Sequence, residues 1–440
     1  MMNGDATFVA PATPFGHSGI AVVRLNGPLS KEIITKLAKN ILVEPRTPKL
    51  TKLYSKNGHL IDECMVTRFD APASYTGDDM IEISCHGNPI LVENIIKTIN
   101  ECGARLAEPG EFTKRAFING KLDLLQAEAI GALIKSKSSS AARINQQTLN
   151  GALSKTLKTA RATLIDVSGK IEHSIDISEL EILDTFYKEC ASQIDIAISL
   201  TRDILSTFKA GKMLNEGIRV VITGKPNSGK STLINYLSGS EKAIVSDIPG
   251  TTRDTVESEI LIDGVPIRFI DTAGIHTTDD KIEKIGIRKA NSEIEFADLV
   301  LHLFDNPKQN ELPKYECPYI YILNKSDLHK KTMNKNSIIH ISAKTGLNVD
   351  YLLKTIKKTM SINPVSTDTP YLISQHQNIA MVKSLKSQKA AYELLSRLNP
   401  EMEIVALELR EAIDAIDVLM GKTSPDDILN SIFSTLCVGK

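Results

Sequence analysis

The eight residues GKPNSGKS, Gly224 to Ser231, constrain this chain more than any other stretch, because they fit G-x-x-x-x-G-K-[ST] between an apolar run and a helical one. Gly224 and Gly229 let the backbone curl so that its N–H groups point at phosphate oxygens, and the following helix adds positive potential. Lys230 should reach the β- and γ-phosphates, and the Ser231 hydroxyl should bind Mg2+. Such a loop needs a strand ahead of it and a helix behind it, so an α/β sheet must surround it. Alone, the match is also compatible with a glycine-rich turn.

Its companions decide between the two. DTAG, Asp271 to Gly274, ends a later apolar run, where an acidic residue holds the metal through water and a glycine N–H senses the γ-phosphate. NKSD, Asn324 to Asp327, follows another run, and its aspartate can accept both hydrogen bonds from guanine N1 and the 2-amino group; adenine offers no such donor pair. SAK, Ser342 to Lys344, closes over the base. Four motifs in this order, each at a strand's C-terminal end, make the ligand GTP. Between the first two lies SDIPGTTRDT, Ser246 to Thr255, where a threonine is needed to complete the Mg2+ shell: Thr252 is the choice, with Thr251 as the neighbour that could replace it. The nucleotide set is therefore Asn227, Ser228, Gly229, Lys230, Ser231 and Thr232, then Ser246, Asp247, Ile248, Pro249, Gly250, Thr251 and Thr252, then Asp271, Thr272, Ala273 and Gly274, then Asn324, Lys325, Ser326 and Asp327, and finally Ser342, Ala343 and Lys344. Ile275 follows DTAG where a Ras-like enzyme carries a glutamine, so another group must orient the water. Asn227 and the loop from Ser246 to Thr251 offer oxygens for a monovalent cation; Asn227 is equally readable as a turn-forming asparagine.

The flanks give the domain plan. With 440 residues, one core is too few. Residues 1–120 alternate short β-rich runs (GIAVVRL, DMIEIS) with turns and one helix-like stretch from Pro89 to Cys102, an α+β domain. Residues 121–212 are poor in glycine and proline, with Leu122, Leu125, Ala129 and Leu133 at helical spacing. KAGKMLNEG, Lys209 to Gly217, is expected to break the helix. The α/β unit at 216–363 follows with five apolar runs and a mainly parallel sheet, and Pro364 and Pro370 bracket the exit. Residues 371–440 return to a helical period in Val405, Leu409, Ala412, Ile416 and Leu419. Their last helix should start at Ser424 and Pro425, with Asp426 and Asp427 near its positive end. The fold class is thus multidomain α/β plus α, with the α/β unit inserted in one helical domain.

Net charge of -1 excludes a nucleic-acid coat but not a local RNA face. No apolar run reaches membrane-spanning length and the N-terminus has no basic start, so a cytoplasmic address without membrane is expected. Cys64, Cys85, Cys102, Cys190, Cys317 and Cys437 form no CxxC pair, so neither a zinc site nor a disulfide framework is expected.

Outside the nucleotide motifs, ATPFGHSGIAVVRLNG, YTGDDMIEISCHGNP, PGEFTKRAFINGKLDLLQAEAI and the final CVGK resemble the tRNA-modification GTPase family called MnmE or TrmE, over nearly the whole chain. The resemblance implies an N-terminal domain that forms a homodimer and binds 5-formyltetrahydrofolate or a related formyl- or methylene-tetrahydrofolate, K+-dependent hydrolysis, and an FAD-dependent MnmG-type partner in a heterotetramer. Together they would add an aminomethyl-type group, carboxymethylaminomethyl or related, to C5 of the wobble uridine (position 34) of tRNA. It further implies folate contacts at Arg24, Glu82, Lys121 and Lys440, and a K+ site at Asn227, Ser246, Ile248 and Thr251. Glu283 would position the attacking water, beside Lys230 and Thr252 as catalytic groups. The folate contacts are chemically sensible: cations pair with glutamate carboxylates, and Glu82 accepts from a pterin N–H. Without the resemblance, Arg24 and Lys121 read as solvated surface residues and Glu283 as a helix-surface carboxylate. Cys437 is either a packed small hydrophobe or a thiol near the modification site. His276 stands where relatives often have arginine, and the stretch between NKSD and SAK is short.

A different class of function, an assembly GTPase bound to ribosomal RNA or a membrane, lacks a KH-type GxxG after the α/β unit and any basic amphipathic membrane face. Lys121 to Arg161 holds seven Lys or Arg against two Asp or Glu, either a path for RNA phosphates or a solvated helix face.

Overall fold

In the GIAVVRLN run, Ala21, Val23 and Leu25 fall on one face and are buried, while Arg24 falls on the other, the two-residue period of a half-covered strand. A computed structural model of the chain describes residues 6–40, 43–176, 184–239, 257–271, 293–306, 312–328, 338–362, 371–397, 400–423 and 426–439. They fall into two compact units. One holds Met1–Ile134, Asn145–Leu205 and His376–Lys440, and the other holds Lys135–Ile144 and Ser206–Gln375.

The first unit begins with β1 (Phe8–Pro11), β2 (Ser18–Asn26), α1 (Ser30–Leu37), β3 (Lys49–Tyr54), β4 (Leu60–Phe69), β5 (Met80–Gly87), α2 (Pro89–Glu101), β6 (Arg105–Leu106) and α3 (Glu111–Ile118). Its sheet runs β3-β4-β5-β2-β1-β6 and is antiparallel except between β1 and β6. The register sets Arg24 of β2 directly opposite Glu82 of β5. Asn88 caps α2 by accepting from the Ile90 N–H, Pro89 occupies the first helical position, and Val92, Ile95 and Ile99 join Val23, Leu25 and Ile83 in the core. This is the helix expected from the sequence. Helices α1 and α3 were not expected, because eight residues span about two turns and barely register a 3.6-residue period.

Four helices follow: α4 (Leu124–Lys135), α5 (Ser139–Leu149), α6 (Ala152–Asp176) and α7 (Asp184–Ser206). On α6, Leu157, Ala160, Leu164, Val167 and Ile171 are buried at alternating spacings of three and four, one continuous apolar stripe.

The second unit contains α8 (Phe208–Asn215), β7 (Ile218–Thr223), α9 (Lys230–Ser238), β8 (Glu257–Ile262), β9 (Val265–Asp271), β10 (Leu299–Phe304), β11 (Tyr319–Leu323), β12 (Ile338–His340) and α10 (Val349–Thr359). The sheet order is β12-β11-β10-β7-β9-β8, parallel throughout except for β8. This is the order of a Ras-like G domain. Every residue of β10 is buried, as befits a strand covered on both faces. The five apolar runs are all strands; β8, an edge strand reading ESEILI, forms no apolar run because charges interrupt it. KAGKMLNEG does not break the helix as its glycines lead one to expect: α8 runs through most of it. Ala210, Met213 and Leu214 are good helix formers, and Gly211 fits because an ideal Cβ there would lie 2.9 Å from the Ile373 carbonyl oxygen. The helix ends at Asn215, two residues before Gly217, whose φ is +80°.

The first unit closes with α11 (Gln375–Leu395), α12 (Met402–Leu419) and α13 (Asp426–Ser434). Val405, Leu409, Ala412, Ile416 and Leu419 of α12 are all buried. Arg161 of α6 forks onto Asp417 of α12, with Nη2 donating to Oδ2 at 2.7 Å. Between the helices a buried polar chain is fully paired: Gln388 donates to Thr201 and Ser384, and Ser384 to the Ala412 carbonyl. Phe433 and Leu436 pack with Leu124 and Ala127, which anchors the C-terminal segment. The N-cap pair expected at Ser424 and Pro425 lies outside the described residues. No helix among the described residues is long and apolar enough to cross a membrane.

Candidate functional site

Strand β7 sits between β9 and β10, so the chain leaves its C-terminal end at the point where strand order reverses, the usual crevice for a ligand in a parallel sheet. The phosphate loop occupies that point. Asn227 is exposed and held at φ +63°, and Gly229 at φ +96° caps α9. A Cβ on Gly229 would lie 2.1 Å from Asn324 Nδ2, so both the backbone and its neighbour require glycine here.

Lys230 is 4% exposed, and its Nζ donates to the carbonyls of Gly224 (2.8 Å) and Lys225 (3.0 Å). Burial holds its pKa below the usual lysine value, partly opposed by the charge of Asp271. A buried ammonium resting on two carbonyls favours an anion beside it. Ser231 Oγ donates to Asp271 Oδ2 at 2.8 Å, bringing together a hydroxyl and a carboxylate, the hard oxygen donors that suit Mg2+. Behind them His302 of β10 contacts Tyr315 Oη at 2.8 Å. Burial, then the Lys230 charge, lowers the imidazole pKa, while burial pushes Tyr315 up to about 12, so this backing carries no charge at neutral pH.

Asn324 ties the base side to the phosphate side. Its Nδ2 donates to the Ser228 carbonyl (2.8 Å) and its Oδ1 accepts from the Ala343 N–H (2.9 Å), at 2% exposure. NKSD, SAK and the phosphate loop are thus locked by one side chain. Lys325, at φ +58°, donates to Asp305 at 2.6 Å; Ser326 N donates to the Ile341 carbonyl; and Ser342 Oγ accepts from Thr345 N. The sequence missed Asp305, whose only signal was its place at the end of the LVLHLFD run. Ser246, Asp247, Ile248, Pro249, Gly250, Thr251, Thr252, Thr272, Ala273, Gly274, Glu283 and, in the other unit, Lys440 lie outside the described residues.

A second cluster stands on the other unit's sheet. Arg24 Nε donates to Glu82 Oε1 at 2.8 Å, and Nη1 donates to the Gly439 carbonyl at 3.2 Å. The guanidinium lies 5.6 Å from the Tyr75 ring centroid, and Tyr75 Oη meets Thr113 Oγ1 at 2.8 Å. Gly439 must be glycine: φ is +91°, and a Cβ would lie 2.1 Å from the Pro11 carbonyl oxygen. Lys121 Nζ donates to the Pro72 carbonyl at 3.2 Å. Arg24 and Glu82 are therefore joined, with the C-terminal segment seated on them, while Lys121 holds the neighbouring loop. Cys437 is exposed, and its carbonyl accepts from the Gly110 N–H. Tyr75 was missed, although it opens the quoted YTGDD stretch.

Comparison with known proteins gives two family matches: the MnmE helical domain over residues 124–437, and the N-terminus of the GTP-binding protein TrmE over residues 7–121. The tRNA modification GTPase MnmE of Aquifex aeolicus is 37% identical, over 98% of this chain and 99% of that protein. Those of Legionella pneumophila (strain Philadelphia 1) and Fervidobacterium nodosum are 38% and 37% identical, over 99% and 100% of this chain and 99% and 98% of their own lengths.

Proposed function

Since this chain belongs to the MnmE family of tRNA modification GTPases, we propose that it couples GTP hydrolysis to adding an aminomethyl-type group at C5 of the wobble uridine of tRNA, with a formyl- or methylene-tetrahydrofolate as the one-carbon source. It works in the cytoplasm as a homodimer with an FAD-dependent MnmG-type partner. The observation that carries this reading is the presence on one chain of a guanine-nucleotide crevice and a second cluster, Arg24, Glu82 and Gly439, within a TrmE-type N-terminal region.

In the nucleotide crevice Lys230 donates to the β- and γ-phosphate oxygens of GTP, and the N–H groups at the start of α9 stabilise the charge that develops there. Ser231 and Thr252 would hold Mg2+, with Asp271 acting through water, and the ion would neutralise phosphate charge. Asp327 accepts from the guanine edge while Asn324 keeps its loop in register. Glu283 orients the attacking water. Asn227, Ser246, Ile248 and Thr251 would supply the oxygens for K+, and an exposed Asn227 at φ +63° is compatible with that role.

Turnover in K+ should exceed turnover in Na+ at equal ionic strength by about tenfold or more, the scale of one transition-state charge contact. Asn227→Ala should remove the difference while nucleotide affinity stays near wild type. Equal rates in the two salts refute the cation site.

At the second cluster, Arg24 is free to exchange its Glu82 contact for a folate carboxylate, leaving Glu82 to accept from the pterin. Arg24→Ala should weaken 5-formyltetrahydrofolate binding at least about tenfold, as expected for a lost charge-assisted pair. Wobble-uridine modification, read by mass spectrometry of tRNA nucleosides from a complemented deletion strain, should fall with it, while GTP turnover persists. If modification is unaffected by deleting the whole gene, the proposed reaction is wrong; if only Arg24→Ala leaves it intact, the folate assignment alone fails.

A further inference from the structure

A pocket of about 730 Å³ opens where α5 gives way to α6, lined by none of the residues of the nucleotide crevice or the Arg24 cluster. The Asp123 carboxylate and the Gln126 amide in its lining are already committed. Asp123 Oδ1 accepts from the Gln126 N–H and Gln126 Oε1 accepts from the Asp123 N–H, both at 3.0 Å, a reciprocal cap on α4. Gln126 Nε2 donates to the Leu149 carbonyl, and Asp123 Oδ2 lies 3.9 Å from Lys158 Nζ. Ser154 differs. It lines the pocket at 3% exposure, yet its Oγ has no hydrogen-bond partner among the described residues. A buried hydroxyl left so calls for an explanation, and an external acceptor supplies one.

Ser154 also sits in the first turn of α6, a 25-residue helix. The first N–H groups of that turn have no intrahelical acceptor, and the helix dipole makes its start positive. Lys155 and Lys158 add two exposed ammonium groups along the same wall. Donors, dipole and ammonium groups all favour an anion with several acceptor oxygens, which is the chemistry of a phosphate. The pocket is larger than one phosphate fills, leaving room for a sugar on either side. The stretch carrying it, Lys121 to Arg161, has seven Lys or Arg against two Asp or Glu.

We infer that this pocket seats a backbone phosphate of RNA, donated to by Ser154 Oγ and the opening N–H groups of α6 and neutralised by Lys155 and Lys158. The inference rests on the proposed action on tRNA and names where the tRNA backbone is held.

The test uses the full-length protein and an unmodified tRNA transcript, with affinity followed by fluorescence anisotropy over a KCl series. The double variant Lys155→Gln, Lys158→Gln should bind at least about fivefold more weakly and reduce the log–log salt slope by about one to two, as lost phosphate contacts do. Ser154→Ala should weaken binding without changing the slope. GTP turnover in the absence of tRNA should match wild type in all variants. If wild type binds tRNA and the variants bind equally with the same slope, the pocket assignment falls and the tRNA reading stands. If wild type itself does not bind tRNA, both fall. In a parallel arm, inorganic phosphate is titrated at constant ionic strength. A rise in melting temperature that Ser154→Ala removes, with tRNA binding unaffected by any variant, would make this a free-phosphate site and overturn the RNA assignment.

Discussion

Replacing Lys230 with alanine should lower kcat/KM for GTP by a factor of about 10² to 10³, the range for removing one preorganised charged donor from a phosphoryl-transfer site. Lys230 is nearly buried, and its ammonium rests on the carbonyls of Gly224 and Lys225. Its pKa is held down by burial, so the folded chain keeps the charged form at a cost to stability. The sign follows: a lysine whose folded pKa is depressed destabilises the fold below that pKa, and the penalty fades as pH rises towards the unfolded value. Bound phosphates reverse the balance by giving the charge a partner. The GTP-free variant should therefore melt no lower than the wild-type protein, whereas the stabilisation conferred by GTP should shrink. Steady-state turnover with Mg2+ and melting curves with and without GTP check both halves. Wild-type turnover, or a large loss of melting temperature without nucleotide, would mean that Lys230 is a structural side chain.

Asn324→Ala should instead damage the α/β unit itself. It leaves the Ser228 carbonyl and the Ala343 N–H without their partner in a site that is 2% exposed, and each orphaned buried group costs about 1 to 3 kcal/mol. A loss of about 2 to 4 kcal/mol in unfolding free energy is expected, with GTP affinity at least tenfold weaker because the base loop and phosphate loop lose their common tie. Asn324→Asp separates the two effects: the carboxylate can still accept from Ala343 but repels the Ser228 carbonyl. Urea unfolding followed by titration with a fluorescent GTP analogue measures both quantities. An alanine variant that keeps stability and affinity would show that the two loops hold their positions without the bridge.

The nucleotide motifs were legible because phosphate loops are local. GKPNSGKS has its strand, its turn and its helix within a few residues of one another, and each glycine answers a backbone demand that spacing alone exposes. Asn324 was legible as a member of NKSD but not as a bridge, since its partners Ser228 and Ala343 come from separate loops. The same limit hid Tyr75 and Asp305, whose importance depends on strand register. Helix α8 was misread for a different reason: two glycines in KAGKMLNEG suggest a break, but only Gly217 takes a left-handed conformation, while Gly211 serves close packing against Ile373. Arg24 looks like a solvated charge along the chain, and only the antiparallel register of β2 and β5 makes it a neighbour of Glu82. Their assignment to folate came from resemblance to relatives.

The Arg24 contact with Gly439 joins residues 415 positions apart. A ribosome adding about 5 to 20 residues per second needs roughly 20 to 80 s to travel that distance. Throughout that interval the N-terminal sheet can already be folded, with Arg24 and Glu82 paired, yet the carbonyl that completes their surroundings has not been synthesised. The unit that holds the nucleotide crevice is complete earlier, once the chain has emerged as far as Gln375. A nascent chain, or one cut short before Gly439, would thus pass through a period in which the nucleotide-binding unit is whole and the Arg24 cluster is not, and that order of assembly is written into the topology.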